Sequence, residues 1–213
     1  MVISSPTPES HRERVKAQRR DDIVRAGMRL FTEHGYDGAT IADIGRAANV
    51  APRTVQQYFP AKQDIALSLA NDIASRLTAT LQEHPDVSFL DAVDRWLVRE
   101  AELNDPELMA LNQAMFEANP ELQALCINQL TDAVRLCSAG VSAETGLPVG
   151  HPLYTVVVSA AAAALSEYIR TAHHYRDAPD LHAHFIACLR ALLHAAREPR
   201  PLPPREPVPA AEA

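Results

Sequence analysis

Positions 52–62 of the chain read PRTVQQYFPAK. Arg53, Thr54, Gln56, Gln57 and Tyr58 bring together the donors and acceptors that read nucleic acid. A glutamine amide pairs two-pronged with adenine, and an arginine guanidinium with guanine or phosphate. Val55 and Phe59 are four apart, so on a helix they share one side and leave the polar groups on the other. Pro52 suits the first turn of such a helix. The chemistry expected here is base and phosphate recognition in a major groove.

Two shorter helices must hold that element in place. In the first, Ile23, Ala26, Leu30 and Phe31 recur at helical spacing and form one apolar face. Gly35 follows its last turn, where a left-handed residue ends a helix. Thr40 is placed to cap the second helix through its hydroxyl, with Ile41, Ile44, Ala47 and Ala48 facing inward. Gly45 and the alanines are small enough to let the third helix approach closely. Asn49 takes the turn, since asparagine accepts a positive φ better than most residues. The third helix is expected over about 52–59.

Charge divides the chain at the same place. Residues 1–62 hold 10 Lys and Arg against 7 Asp and Glu, a net of +3, while the remaining 10 and 20 give −10, completing the overall −7. A basic head on an acidic body fits phosphate binding at one end. A flexible basic arm, residues 1–17, or equally a solvated tail, is expected ahead of the first helix, with His11, Arg12, Arg14, Lys16, Arg19 and Arg20 as the basic residues in and just beyond it. Cys126, Cys137 and Cys188 show no CxxC spacing and read as small core residues of a cytoplasmic protein. The longest apolar run, Val156 to Leu165, is interrupted by Ser159 and falls short of a membrane span. No apolar leader follows the start.

After Lys62 the periodicity predicts helices throughout, broken at prolines. A fourth runs from about Gln63 to Leu81, with Ile65, Leu69, Ile73 and Leu77 inward, and a fifth from Phe89 to Leu103. A sixth begins at Asp105-Pro106, another pattern runs from Asn119-Pro120 to about Gly140, and two long helices span about 152–173 and 180–197. Residues 199–213 carry six prolines in fifteen positions and read as a disordered tail. The nine histidines raise the question of a metal. Neither His173-His174 nor His182/His184 shares a helix face, so neither pair alone makes a site, though the four could cluster across 175–179. No Ser/His/Asp signature or HExxH is present. No catalytic residue, metal or cofactor is assigned.

The head resembles the TetR/AcrR family of bacterial one-component repressors. Phe31, Gly35-Tyr36, Thr40, Ile44, Ala47-Ala48, Val50, Thr54, Tyr58-Phe59 and Lys62 match it in one ungapped register. Asn49 stands where the family usually has Gly, Ala51 where it has a capping Ser, and Gln56 where many members carry Tyr. The resemblance implies an all-α fold: a helix-turn-helix DNA-binding domain at 18–62 and an effector-binding and dimerisation domain at 63–198. It places Thr40, Pro52, Arg53, Thr54, Gln56, Gln57, Tyr58 and Lys62 at the DNA, with Lys62 on a phosphate. It puts an effector pocket in the fourth to seventh helices, where Trp96, Met109, Asn112, Met115, Phe116 and Gln129 are the candidates. Members pair through their last two helices as a four-helix bundle, which singles out Val157, Ala161, Ala164, Leu181, Phe185, Leu189 and Leu192.

The function so implied is that of a cytoplasmic homodimeric repressor with no membrane association. It would bind a palindromic double-stranded operator and be released by a small apolar or amphipathic molecule through a shift of the fourth helix. The segment NPELQAL…AETGLPVG also resembles the branch typified by the mycofactocin regulator, which implies an acyl-CoA-like ligand. The alternatives are a metal-responsive regulator using histidines near 173–184 and a DNA-binding dimer without a small-molecule effector.

Overall fold

The computed structural model describes residues 11–84, 86–103, 105–129, 131–171 and 180–197, except for the side chains of 124, 127–129, 131–134 and 170. Among these residues every regular element is a helix: α1 (His11–His34), α2 (Ile41–Ala47), α3 (Pro52–Tyr58), α4 (Lys62–Ala66), α5 (Ser68–Glu83), α6 (Phe89–Leu103), α7 (Pro106–Ala118), α8 (Glu121–Gln129), α9 (Thr131–Thr145), α10 (Pro152–Thr171) and α11 (Leu181–Arg197). The first core lies between α1, α2, α3 and α4 and is completed by Met115 and Leu122 from α7 and α8. Two further clusters fill the body, one between α9, α10 and α11 and one around Trp96 between α5, α6 and α11.

The local signals for the head hold. Gly35 has φ 75° and Asn49 φ 54°. Thr40 accepts the Asp43 N–H while the Asp43 carboxylate accepts from Thr40 N–H, a reciprocal capping box. Ala51 caps nothing with its side chain, and Pro52 supplies the first helical residue instead. A Cβ on Gly45 would meet Val50 O at 2.8 Å, so only glycine lets the α2–α3 turn close. Ala47 is exposed rather than inward, because that place on α2 is taken by Gly45 and Ala48.

Several boundaries differ from expectation. His11 to Ala17, expected within a flexible arm, form the first turns of α1: RERVKAQRR has no Gly or Pro and is dominated by strong helix formers. Residues 1–10 and the tail at 199–213 lie outside the described residues. The expected fourth helix is two. At Leu67 the backbone leaves helical geometry (ψ 5°), and Ser68 Oγ donates to Ile65 O at 2.9 Å, a local bond that competes with continuous helix. α9 runs through Gly140 to Thr145. A Cβ at Gly140 would lie 2.1 Å from the Phe89 ring, so this glycine serves close packing against α6, and Gly146 (φ 71°) follows the true end.

Candidate DNA interface and ligand cavity

α3 turns Val55 (0% exposed) and Phe59 into the head core and leaves Pro52, Arg53, Gln56 and Gln57 exposed. Thr54 is half-buried. Tyr58 is half-buried too, packed against the core. Arg53, Gln56 and Gln57 thus stand exposed on α3, and the neighbouring α2 begins at a capping box. Thr40 donates its hydroxyl to Asp43 Oδ2 at 2.5 Å, which holds the Asp43 carboxyl below its ordinary value, and Arg46 adds a bond of 2.9 Å.

Lys62 has a structural role that its sequence position did not announce. Its ammonium donates to Tyr36 O (2.5 Å) and Ala39 O (3.1 Å) and sits 4.2 Å from the Tyr36 ring centroid. It locks the α1–α2 turn to the start of α4. Arg20, expected in a free basic arm, forms a bidentate pair with Asp72 of α5 (2.9 and 3.0 Å) and covers the Phe59 ring.

The head is fastened to the body chiefly through α7. Arg25 of α1 donates to Asp21 (2.7 Å) and Asp105, and its Nη1 lies 3.4 Å from Glu107, an ion pair without hydrogen-bond alignment. Arg29 adds a second bond to Glu107 at 2.8 Å. The Asp21 hydrogen bond is foremost in holding the Arg25 guanidinium above its ordinary value, and Arg25 in turn holds Asp105 below its own. Asn119, 2% exposed, joins three backbone groups at once. Its Nδ2 donates to Phe31 O (3.0 Å) and Met115 O (2.8 Å), and its Oδ1 accepts Tyr36 N–H (2.6 Å).

On the far side of α7 lies a cavity of about 740 Å³ between α5, α6, α7, α8, α9 and α10. Trp96, Met109, Asn112 and Phe116, four of the effector-pocket candidates, line it, with Gln113, Cys126 and Cys137. Met115 does not. It is fully buried in the head core, because it projects from the opposite side of α7. The Gln129 side chain lies outside the described residues. Trp96 Nε1 and Asn112 Oδ1 are buried without a hydrogen-bond partner. Burial pushes the Cys126 thiol up and the Cys137 thiol to about 11, so both are neutral.

Residues 23–69, spanning the latter half of α1 through the start of α5, match the profile of the bacterial regulatory proteins of the tetR family. It is this segment, and not the body beyond it, that is similar to the tetR family. Similar relatives include the transcriptional regulator TcmR of Streptomyces glaucescens, 32% identical over 38% of this chain and 36% of its own, and the repressor AcnR of Corynebacterium glutamicum, 27% identical over 49% and 50%. The match thus spans about a quarter to a half of the length of the curated relatives. The whole fold is similar to FadR from Bacillus halodurans, a fatty acid degradation regulator (TM-score 0.52, 20% identity, 85% of this chain and 95% of that one). It is also similar to FadR from Bacillus subtilis in complex with stearoyl-CoA (TM-score 0.52, 17%, 83% and 96%). The all-α, two-part architecture is therefore shared with these neighbours.

In the body most of the residues expected at a dimer interface face the chain's own core. Val157, Ala161 and Leu189 are buried within the chain's own core, and Ala164, Phe185 and Leu192 pack against it, with Leu181 half-buried. Ala161 also lines the cavity. Both sides of α10 and α11 are apolar, and the protomer claims the side with the larger residues. The outward side carries Val156 (61% exposed), Ala160 and Ala163 on α10, and Ala183, Ala187, Cys188 and Ala191 on α11. By length and mean hydropathy (1.3 over Pro152–Ile169) α10 is long and apolar enough to cross a membrane, and 17% of that stretch is buried.

Of the histidines weighed for a metal, His173 and His174 lie outside the described residues. His182 bridges Tyr168 (3.0 Å) and Asp94 (2.6 Å), while His184 Nδ1 contacts Asp180 O. Among the described residues no group of three metal-ligating side chains forms.

Proposed function

We propose that the chain is a cytoplasmic transcriptional repressor, not an enzyme, that binds a palindromic operator as a homodimer and is released by a small apolar or amphipathic molecule. The observation that carries this reading is the face of α3. Arg53, Gln56 and Gln57 stand exposed with Thr54 and Tyr58 at their flank, on a helix pinned by buried Val55 and Phe59. A helix so short, anchored by two residues and open along the rest, is shaped to enter a major groove. Repressors among the relatives, AcnR and others, support the regulatory sign.

The exposed small apolar residues of α10 and α11 support dimerisation, since a contiguous apolar patch left in water marks an interaction surface. A second copy would cover it isologously and present two reading heads to two half-sites. Release is better served by α7 than by the fourth helix alone. α7 lines the cavity with Met109, Asn112 and Phe116 and grips α1 with Asp105, Glu107, Met115 and the following Asn119. A ligand that displaces α7 tilts the head. It must bind the tilted form better than the operator-bound form. Neighbours of the same fold are described as binding stearoyl-CoA and malachite green, which supports a cavity ligand in this chain.

Operator fragments selected from random DNA with the purified protein test the reading. Gln57→Ala should weaken the selected site by about 1–3 kcal/mol while leaving the melting temperature unchanged, because Gln57 is exposed. Tyr58→Phe isolates the hydroxyl without removing the ring from the core. Unchanged operator affinity in the double variant would refute the assignment of α3.

A further inference from the structure

We infer that the part of the ligand enclosed by the cavity is uncharged and largely apolar, and presents one carbonyl-type hydrogen-bond acceptor to the indole N–H of Trp96. The inference rests on the effector reading of this cavity and names its ligand class.

Charge is the first argument. Among the described lining residues Glu117 is the sole carboxylate, and no Lys, Arg or His faces the space. Glu117 sits on the exposed rim, bonded to Gln113 Nε2 at 2.8 Å. A fatty acid's carboxylate would therefore lose water, meet no cation and pass a like charge on entry. The thiols of Cys126 and Cys137 are neutral through burial, so they alter nothing.

Unmet hydrogen bonding is the second. Trp96 is 2% exposed and its Nε1 has no acceptor; the Asn112 side-chain oxygen, also at the cavity wall, has no donor. A buried donor left unpaired is a standing deficit in the folded chain. The indole can only donate, so an acceptor on the ligand is what removes it. Trp96 Nε1 is closed to water, so the ligand carbonyl reaches it by parting the wall side chains, a displacement that an alkane has no reason to produce.

The third is size. About 740 Å³ accommodates a lipid- or drug-sized molecule, and the rings of Phe89, Trp96 and Phe116 face its apolar body. Ketones, esters and thioesters of long chains meet all three conditions, whereas free fatty acids fail the first and alkanes the second.

The experiment is competition against the neutral dye Nile red on the full chain, using a straight-chain methyl ketone, the alkane, the fatty acid and the trimethylammonium of equal chain length. The ketone should displace the dye at about tenfold lower concentration than each of the others, consistent with one buried hydrogen bond. Trp96→Phe should bring ketone and alkane within about twofold. Trp96 is the chain's single tryptophan, so its emission in the unaltered protein gives a second readout: the ketone should shift it to longer wavelength and the alkane should not. Equal competition by the fatty acid or the ammonium, or a ketone preference that survives in Trp96→Phe, overturns the inference while the effector reading stands. Failure of every probe and of the dye to enter overturns both.

Discussion

Asn119→Ala removes one side chain and three hydrogen bonds. Phe31 O and Met115 O lie in the last turns of α1 and α7, where carbonyls lack the intrahelical donors of the interior. One amide therefore caps two helices and, through its oxygen, holds the Tyr36 N–H just past the end of α1. Each lost bond costs about 0.5–1.5 kcal/mol net, more where the abandoned group stays buried. With Asn119 at 2% exposure, water does not reach the vacated groups freely, and a loss of about 3 kcal/mol is expected. In a chain of this length that corresponds to a fall of roughly 6–12 °C in melting temperature. Urea unfolding followed by circular dichroism measures it directly. Asn119→Asp separates the halves: it keeps an acceptor for Tyr36 N–H but turns a carboxylate on two carbonyls, so it should be at least as damaging as alanine. A loss under about 1 kcal/mol in Asn119→Ala, or an Asp variant near the original stability, would refute the double-cap argument.

Lys62→Ala should lower stability by about 1 kcal/mol, through release of Tyr36 O and Ala39 O, and also flatten the salt dependence of operator binding by about one unit if the ammonium reaches phosphate; chemical denaturation and titrations at several salt concentrations check the two separately. Ala187→Arg, on the outward side of α11, should give a folded monomer by light scattering with operator binding lost, whereas Leu189→Arg should fail to fold because Leu189 is core; a dimeric Ala187→Arg would move the interface elsewhere. Asp105 titrates below its ordinary value in the folded chain, so its contribution is present above the usual carboxylate range and is lost as pH falls through the depressed value. Denaturant midpoints measured from about pH 6 to pH 3 should fall less steeply in Asp105→Asn than in the unaltered chain.

What the sequence made legible was local. The cap at Thr40, the turn at Asn49, the buried pair Val55 and Phe59 and the start of α7 at Asp105-Pro106 depend on residues within a few positions of one another. Lys62 and Asn119 were opaque because their partners lie 26 and 83 positions away, and nothing in their neighbourhoods marks them. Met109 and Met115 show a different limit. α7 is apolar on both sides, so periodicity names its core residues without saying which face the head and which the cavity. The same ambiguity hid which side of α10 and α11 the protomer's own core would take. Arg25 sits among charges that read as a solvated surface until Asp105 and Glu107 are brought against it.

The shared first core bears on how such proteins diversify. Met115 and Leu122 are fully buried among side chains from α1 to α4, with Leu108, Leu111 and Leu125 packed around them. A recombination point drawn after α4 would sever that core, leaving Ile23, Met28 and Phe31 facing water on one fragment and a stripped α7 on the other. A transplant of the DNA-reading unit onto a foreign body must therefore carry α7 and the beginning of α8 with it, or find a recipient whose own α7 fits the same apolar socket. The packing unit around this core is discontinuous in the chain, so the proposed operator specificity and response to ligand are expected to travel together when genes of this kind are shuffled.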